Sequence, residues 1–197
     1  TTPIDTLFPY TTLFRSGLDP KHDKIIEIGA VLVIDGEIKE TFSTFVNPRR
    51  ELDGRIRELT GITGEMTAGA PDIGDVIGRV VEFCRDLPLL GHHIIFDYSF
   101  LKRAAVNKGL VFEKSGIDTL TLCRRFMPEE EKKNLENASR YYGIKQTDAH
   151  RALADALTAH LLYRNVKRSH FSSAPEAFRC KPLVYKVKKE QPASKKQ

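Results

Sequence analysis

The chain has 197 residues, of which 41% are hydrophobic and 9% aromatic, so it can bury a core of single-domain size and is not disordered throughout. The formal charge is +5, from 31 Lys and Arg against 26 Asp and Glu, but this charge is unevenly placed. Residues 181–197 hold six lysines and one glutamate, whereas residues 1–180 hold 25 basic and 25 acidic residues. A uniformly basic body is therefore excluded, and a neutral body with a basic tail remains.

Cysteine content and hydropathy restrict the compartment. Cys84, Cys123 and Cys180 are odd in number and include no CxxC pair, which argues against a disulfide framework and a zinc ribbon. A reducing cytoplasm fits this pattern. No apolar run reaches the roughly 18 residues of a membrane span, so we expect no membrane partner. The N-terminus lacks the charged first segment and the cleavage site of a secretory signal.

Residues 25–46 predict a strand pair. The segment 25–34, IIEIGAVLVI, is nearly all apolar and rich in β-branched residues, which suits a buried strand or a short helix. Asp35-Gly36 favours the strand because this dipeptide forms hairpin turns with positive φ. Residues 38–46 have the β-forming residues of a returning strand, which Asn47-Pro48 ends.

Beyond this hairpin, short strands and helices alternate. Helices are predicted over residues 72–86, 100–110, 134–142 and 152–166, and short strands over 88–90 and 117–120. Asp72 is a plausible N-cap of the first of these helices. This order predicts an α/β layer structure with a mixed sheet. From residue 181 onward, prolines and lysines predict an extended or disordered tail.

Polar residues at two strand-to-helix or loop-to-helix junctions are candidates for chemistry. Asp97 ends the stretch GHHIIFD at the sheet edge where α/β proteins place ligands, although a helix N-cap is an equal alternative. Asp155 lies one turn into an apolar helix, where an unpaired carboxylate is costly, so its alternatives are a metal ion, a salt bridge or exposure to solvent. His150 precedes that helix and could act as a base, whereas a surface or hydrogen-bonded role is the commoner one for a single histidine. The remaining histidines show no zinc-site spacing.

Several stretches, taken in chain order, resemble the DnaQ-like (DEDDh) 3′→5′ exonucleases, a family that includes the proofreading subunits and exonuclease domains of bacterial DNA polymerase III. The resemblance covers about residues 17–167. Its carriers are GLDP at 17–20, KIIEIGA at 24–30, FVNP at 45–48, LTGIT at 59–63, GHHIIFD at 91–97, IDTL at 117–120 and HRALADA at 150–156. The histidine that opens the last stretch is typical of the His-containing branch of the family.

The resemblance implies a ribonuclease H-like fold, with a mixed sheet flanked by helices in a single domain over residues 17–180. It also implies a mechanism with two Mg²⁺ or Mn²⁺ ions that hold the scissile phosphate. Asp97 and Asp155 would be metal ligands, and His150 would take the proton from the attacking water. The residues implied to contact the terminal nucleotide or to line the site are Gly17, Leu18, Thr60, Gly61, Ile62 and Phe96. The implied partners are single-stranded DNA or RNA 3′ ends, and a DNA polymerase.

The chain departs from the family at its first motif, Asp-x-Glu-Thr-Thr-Gly. Counted back from Gly17, the Asp and Glu should be residues 12 and 14, where this chain has Thr12 and Phe14. Two of the family's four metal-binding carboxylates are therefore missing, and the second ion is in doubt. Even changes outside the ligand set typically cost about 10–100-fold in metal sites, so we expect little or no exonuclease activity.

Two origins of this departure are open. The chain could be a natural pseudo-enzyme, which would make it a catalytically inactive nucleic-acid-binding or polymerase-associated module on the same fold. Alternatively, residues 1–16 are foreign sequence from a fusion, a misassembled gene or a read derived from a sequencing adapter. We favour this origin because the family pattern begins abruptly at Gly17 while Asp97, His150 and Asp155 are present. A strand could still form there, because Thr11, Leu13 and Phe14 are acceptable strand formers. The basic tail is either simply solvated or holds nucleic-acid phosphates.

Overall fold

The computed structural model describes residues 8–15, 23–146 and 151–187, with only the backbone described for residues 8–15. Within these residues one sheet has the strand order β3-β2-β1-β4-β5-β6. The strands are β1 (Phe8–Arg15), β2 (Ile25–Ile34), β3 (Glu37–Phe45), β4 (Leu89–Gly91), β5 (Ser115–Asp118) and β6 (Lys181–Pro182). Strands β1, β4 and β5 run parallel, whereas β2, β3 and β6 pair antiparallel with their neighbours. The prediction of a mixed α/β sheet is confirmed.

The hairpin between β2 and β3 forms as predicted. Asp35 and Gly36 take φ values of 52° and 80°, which is the positive-φ pair that a tight hairpin turn needs. The turn places the two strands in register over their whole length, with one irregularity near Leu32 and Val33. Nearly every residue of β2 is buried, whereas β3 is largely exposed at the sheet edge.

The helices are α1 (Gly54–Thr60), α2 (Gly64–Ala68), α3 (Ile73–Cys84), α4 (Ile94–Asn107), α5 (Thr119–Phe126), α6 (Leu135–Tyr141) and α7 (Ala152–His170), with a 3₁₀ turn at Pro175–Phe178. Helices α3, α6 and α7 agree with the sequence expectation, and Asp72 takes the N-cap position of α3. Its carboxylate bonds Arg49 instead of the helix backbone.

Two expectations about element bounds are corrected. Helix α4 begins at Ile94 and not at residue 100, so the whole stretch after His93 is helical. Strand β5 ends at Asp118, because the Asp118 carboxylate accepts the Leu120 backbone N–H and starts α5 there. The short helices α1, α2 and α5 were not predicted.

Strand β1 lies in the middle of the sheet. It pairs with β2 from Phe8 to Arg15 and with β4 at Tyr10 and Leu90. The expectation that a strand could form in this atypical segment is therefore confirmed. The backbone frame of the sheet is complete although the residues of its central strand depart from the family pattern.

The core occupies both faces of the sheet. Leu90 packs in a cluster with residues of α5, α6 and α7, whereas its neighbour Leu89 packs in a cluster with residues of α3 and α4. Such alternation is what successive side chains of a strand produce. Helices therefore flank the sheet on both sides, as predicted.

Residues 181–187 lie against the domain. Lys181–Pro182 pair with β5, the Leu183 backbone N–H donates to the Lys114 carbonyl at 2.8 Å, and Leu183 and Tyr185 pack against the α3–α4 cluster. The packed unit thus extends past residue 180, where we expected the tail to begin. Residues 188–197 lie outside the described residues, and for them the tail stays a prediction. Within the described part of the chain, no helix has the length and apolarity to cross a membrane.

Candidate active site

Asp97 lies in the first turn of α4, directly after the carboxyl end of β4. The residue is 5% exposed. The N-cap position belongs to His93, whose φ is 65° and whose side chain makes no cap hydrogen bond, so the N-cap alternative for Asp97 is wrong. The His93 backbone N–H donates to the Asp118 carboxylate at 2.7 Å, which ties the start of α4 to the end of β5. A buried carboxylate is thereby fixed at the edge where the parallel strands end.

Asp155 occupies the equivalent place in α7, in its first turn, and is half-buried. Its backbone N–H donates to the Arg151 carbonyl at 2.9 Å, so the turn that carries it is regular helix. The amino-terminal turn of a helix carries partial positive charge, which favours a carboxylate there. The same holds for Asp97 in α4.

Gly29 of β2 sets how closely α7 approaches the sheet. A Cβ built on Gly29 would lie 2.1 Å from the Leu153 backbone nitrogen and 2.2 Å from the Ala152 carbonyl carbon. Only a residue without a side chain allows this contact. The first turn of α7 therefore rests on the backbone of β2.

The strand register connects this contact to the missing motif. Thr12 pairs with Gly29 and Phe14 pairs with Glu27. Cross-strand partners in an antiparallel pair share a face of the sheet. Positions 12 and 14 are therefore on the face that the first turn of α7 covers. Helix α4, which carries Asp97, also contacts β1. The fold places the first-motif positions beside the turn that carries Asp155.

Glu27 is a buried acid that the sequence reasoning did not single out. It is 1% exposed. Its Oε1 accepts from Arg151 Nε at 3.0 Å and Nη2 at 2.8 Å, and its Oε2 accepts the Ala152 backbone N–H at 3.0 Å. A single acid inside the apolar run IIEIGAVLVI is the signal that could have identified it, because a buried carboxylate needs partners.

The turn after α1 is held by hydrogen bonds of the Thr60 side chain to the local backbone. Thr60 Oγ1 donates to the Ile56 carbonyl at 2.8 Å and accepts the Ile62 N–H at 3.1 Å, while Gly61 takes a φ of 68°. Ile62 is fully buried in a cluster with Ile26. This burial argues against the expected contact of Ile62 with a base. The exposed apolar side chains beside the turn are those of Leu59 and Met66.

Phe96 is half-buried in the first turn of α4. Its ring stacks on the exposed His93 ring at 5.5 Å between centroids and meets the edge of Phe100 at 5.6 Å. His93 and Phe96 precede Asp97 by four and one positions on the same turn. They offer an aromatic surface at the start of the helix that carries the buried carboxylate, and the lining role of Phe96 stays a prediction.

His92 has a structural role. Its ring contacts Thr119 Oγ1 at 3.0 Å and the Lys133 carbonyl at 2.7 Å. Burial lowers its pKa below the ordinary value, which favours the neutral ring. Because the Lys133 oxygen can only accept, the neutral ring donates from Nε2. His92 thus joins the end of β4 to the segment before α6.

Three predicted site residues lie outside the described residues. These are Gly17, Leu18 and His150. Their roles stay predictions.

The donors of the described residues do not fit the family's two-ion site. The described residues contain no cluster of three or more His, Cys, Asp and Glu side chains that could hold a metal ion. Threonine and phenylalanine at positions 12 and 14 supply no carboxylate. Hard cations such as Mg²⁺ need oxygen ligands in octahedral geometry. The arrangement keeps two carboxylates at helix starts and lacks the pair that the central strand should add.

Comparison with known proteins decides the family. The sequence model of the RNase_T exonuclease family matches residues 16–163. The chain belongs to this exonuclease family. The chain is 38% identical over 154 residues to the DNA polymerase III PolC-type of Clostridium perfringens, covering 78% of this chain and 11% of that protein. It is 33% identical over 170 residues to the DNA polymerase III subunit epsilon of Aquifex aeolicus, covering 85% of this chain and 84% of that subunit.

Solved structures show the same fold. E. coli exonuclease I in complex with a dT13 oligonucleotide superposes with a TM-score of 0.73 at 17% identity, covering 88% of this chain and 42% of that one. Exonuclease X in complex with 5′ overhanging duplex DNA gives 0.67 at 24% identity, covering 86% of this chain and 96% of that one. The ribonuclease H-like fold and the DnaQ-like resemblance are thereby confirmed. The chain spans about a tenth of the PolC-type relatives it matches.

Proposed function

We propose that this chain is the exonuclease domain of a metal-dependent 3′→5′ exonuclease of the proofreading or repair type, and that as written it has little or no activity. The observation that carries this proposal is the seating of the first turn of α7, with Asp155, on Gly29 opposite position 12. An active relative needs a carboxylate at that position. This chain has a threonine there and a phenylalanine two residues later.

The substrate we propose is the 3′ end of single-stranded DNA or RNA. Support comes from the solved exonuclease I structures, which hold dT13 and dA16 oligonucleotides. A DNA polymerase is the protein partner we propose, because the curated relatives are a PolC-type polymerase and an epsilon subunit. The three cysteines, none of them in a disulfide, support a cytoplasmic location.

The cofactor we propose is Mg²⁺ or Mn²⁺. At a complete set of carboxylates, such ions would lower the pKa of a bound water and offset the charge on the leaving oxygen. Asp97 and Asp155 are the ligands this chain retains, and His150 is the proposed base. Gly17, Leu18, Thr60, Gly61 and Phe96 are the proposed contacts of the terminal nucleotide. With two carboxylates missing, we expect at most one weakly held ion.

A second candidate function is a catalytically inactive module that binds nucleic acid or a polymerase. Thr12 and Phe14 favour it, because neither residue can ligate Mg²⁺ through an anionic oxygen. The retention of Asp97 and Asp155 favours the damaged enzyme instead. We further propose that residues 1–16 are foreign to the domain, which the start of the family match at residue 16 supports. Resequencing the genomic locus across codons 1–20 tests this origin.

The decisive experiment restores the motif with Thr12→Asp and Phe14→Glu together, which we call the restored variant. We expect its Mg²⁺-dependent digestion of a 5′-labelled single-stranded oligonucleotide to exceed that of the chain as written by more than about 100-fold, since two ligands return. Shortening one nucleotide at a time from the 3′ end is the expected product pattern.

The matched control adds Asp97→Asn to the restored variant and should abolish the gain. Circular dichroism of all proteins establishes that they are folded. A folded restored variant without digestion would contradict the exonuclease proposal. Oligonucleotide binding without digestion by that variant would favour the inactive module.

A further inference from the structure

The buried Glu27 carboxylate holds the start of α7 through both of its oxygens. Oε1 takes two hydrogen bonds from the Arg151 guanidinium, and Oε2 takes the backbone N–H of Ala152, the first residue of α7. The Glu27 side chain is 2% exposed and that of Arg151 is 41% exposed. One acid of the sheet therefore satisfies an otherwise unpaired helix donor and a neighbouring cation.

The contacts of Arg151 and Gly29 limit where the first turn of α7 can lie. The Arg151 guanidinium lies 5.3 Å from the centre of the Phe45 ring, so the cation is held between β2 and β3. On the same face, the backbone of Ala152 and Leu153 rests on Gly29. The turn is thus held at two adjacent points of β2, by a charged contact at Glu27 and a backbone contact at Gly29.

We propose that Glu27 is a positioning residue that fixes the first turn of α7, and with it the Asp155 carboxylate, relative to β1. Glu27 stands opposite position 14 in the strand register. The residue that pairs with a first-motif position therefore also fixes α7, the helix that carries Asp155. Its effect on catalysis rests on the proposed function, whereas its effect on the helix does not.

A purely space-filling role is a weaker explanation of this residue. Burying an ion pair costs desolvation that well-packed apolar residues of the same size avoid, so such a pair is poor evidence of stability alone. Charge-assisted hydrogen bonds to two distinct donors fix direction as well as distance. The geometry at Glu27 is therefore suited to fixing the position of α7 against β2. A test must detect the loss of that position.

The test is hydrogen exchange of the chain as it exists, comparing it with Glu27→Gln. The neutral amide keeps the volume but loses the charge and one acceptor. We expect amides of residues 152–157 to exchange faster by on the order of 10-fold, which is the scale of a lost charged hydrogen bond. Amides of residues 160–170 in the same helix should keep their rates. Glu40→Gln on β3, where the acid pairs with Arg85 at the surface, is the matched control and should change neither set.

Two outcomes would overturn the proposal: unchanged exchange at residues 152–157, or one uniform increase over the whole chain. Should Glu27→Gln fail to fold, Arg151→Gln removes the guanidinium contacts and keeps the Ala152 contact. It should also give an increase confined to the same residues, and no local increase would again overturn the proposal.

A kinetic readout separates positioning from stability. In the restored variant, Glu27→Gln should lower kcat by on the order of 10-fold with KM within about 2-fold, measured well below the melting temperature. An unchanged kcat per folded molecule would overturn the catalytic part. If the restored variant itself is inactive, the proposed function fails while the exchange comparison still decides the role of Glu27.

Discussion

His160 couples the stability of this domain to pH. It lies on α7 and is 4% exposed, and burial, with a smaller effect of Arg164, lowers its pKa to about 4. The unfolded chain takes up this proton near the ordinary value of 6.5, whereas the folded chain does not. The folded state is therefore favoured fully above pH 6.5, and this contribution is lost as pH falls from 6.5 toward 4. His92 acts in the same direction.

His160→Gln should flatten this dependence. The free energy of unfolding from urea titrations, measured from pH 8 to pH 4, should fall less steeply below pH 6.5 in the variant, because one proton fewer is taken up on unfolding. Between pH 7 and 8 the two proteins should differ by a constant amount. Curves that stay parallel down to pH 4 would show that His160 does not contribute.

The acidic residues of the site differ in how well the sequence predicts them. Asp97 and Asp155 were identified because they lie in recognisable stretches at helix starts. Glu27 was missed because it lies inside an apolar strand, where its partners come from 124 and 125 residues away. Ile62 was expected to contact a base, and its burial depends on packing with Ile26 and Leu52 that no local pattern reports.

At the scale of elements, the contact between α7 and β2 is the junction on which the site depends. Gly29→Ala should destabilise the domain, because the new Cβ meets backbone atoms of α7 that cannot move independently. We expect a loss on the order of 2 kcal/mol in the free energy of unfolding, measured with urea, which is the scale of overpacking.

Gly78→Ala in α3 is the matched control for this change. A Cβ there has no neighbour within 4 Å, and alanine is the better helix former by up to about 1 kcal/mol. We expect this variant to be as stable as the parent or slightly more stable. Equal stability of both variants would show that α7 does not press on β2 at Gly29.

Element prediction succeeded where local chemistry is strong. The Asp35-Gly36 turn and the amphipathic spacing of α3 determine their elements locally. The start of α4 was placed too late because His93 enters the helix with a positive φ and no side-chain cap, so no cap signal marks the position. Helices α1 and α2 have seven and five residues, which is too short for a periodic pattern to be distinct.

At the scale of the molecule, the sheet is complete, whereas we propose that its set of metal-binding carboxylates is not. Strand β1 pairs on both sides, and helices α4 and α7 both contact it. Strand formation needs only β-forming residues and an open place between β2 and β4, which Thr and Phe satisfy. Metal binding needs carboxylates at two particular positions. This difference explains how the fold could be retained in a chain whose site we expect to be incomplete.

Restoring the motif should cost stability when metal is absent. The glutamate at position 14 of the restored variant would stand opposite Glu27, and like charges in a cross-strand pair are unfavourable. Bound metal should offset this cost, because an ion that binds only the folded state stabilises it. The central claim, that this domain lacks only the two carboxylates of β1, is therefore visible in the melting temperature.

The most direct measurement is the melting temperature of the chain as written and of the restored variant, each with and without millimolar Mn²⁺. We predict that Mn²⁺ raises the melting temperature of the restored variant by on the order of 5 °C. The chain as written, and the restored variant with Asp155→Asn, should shift far less. An equal shift in the chain as written, or none in a folded restored variant, would contradict the account.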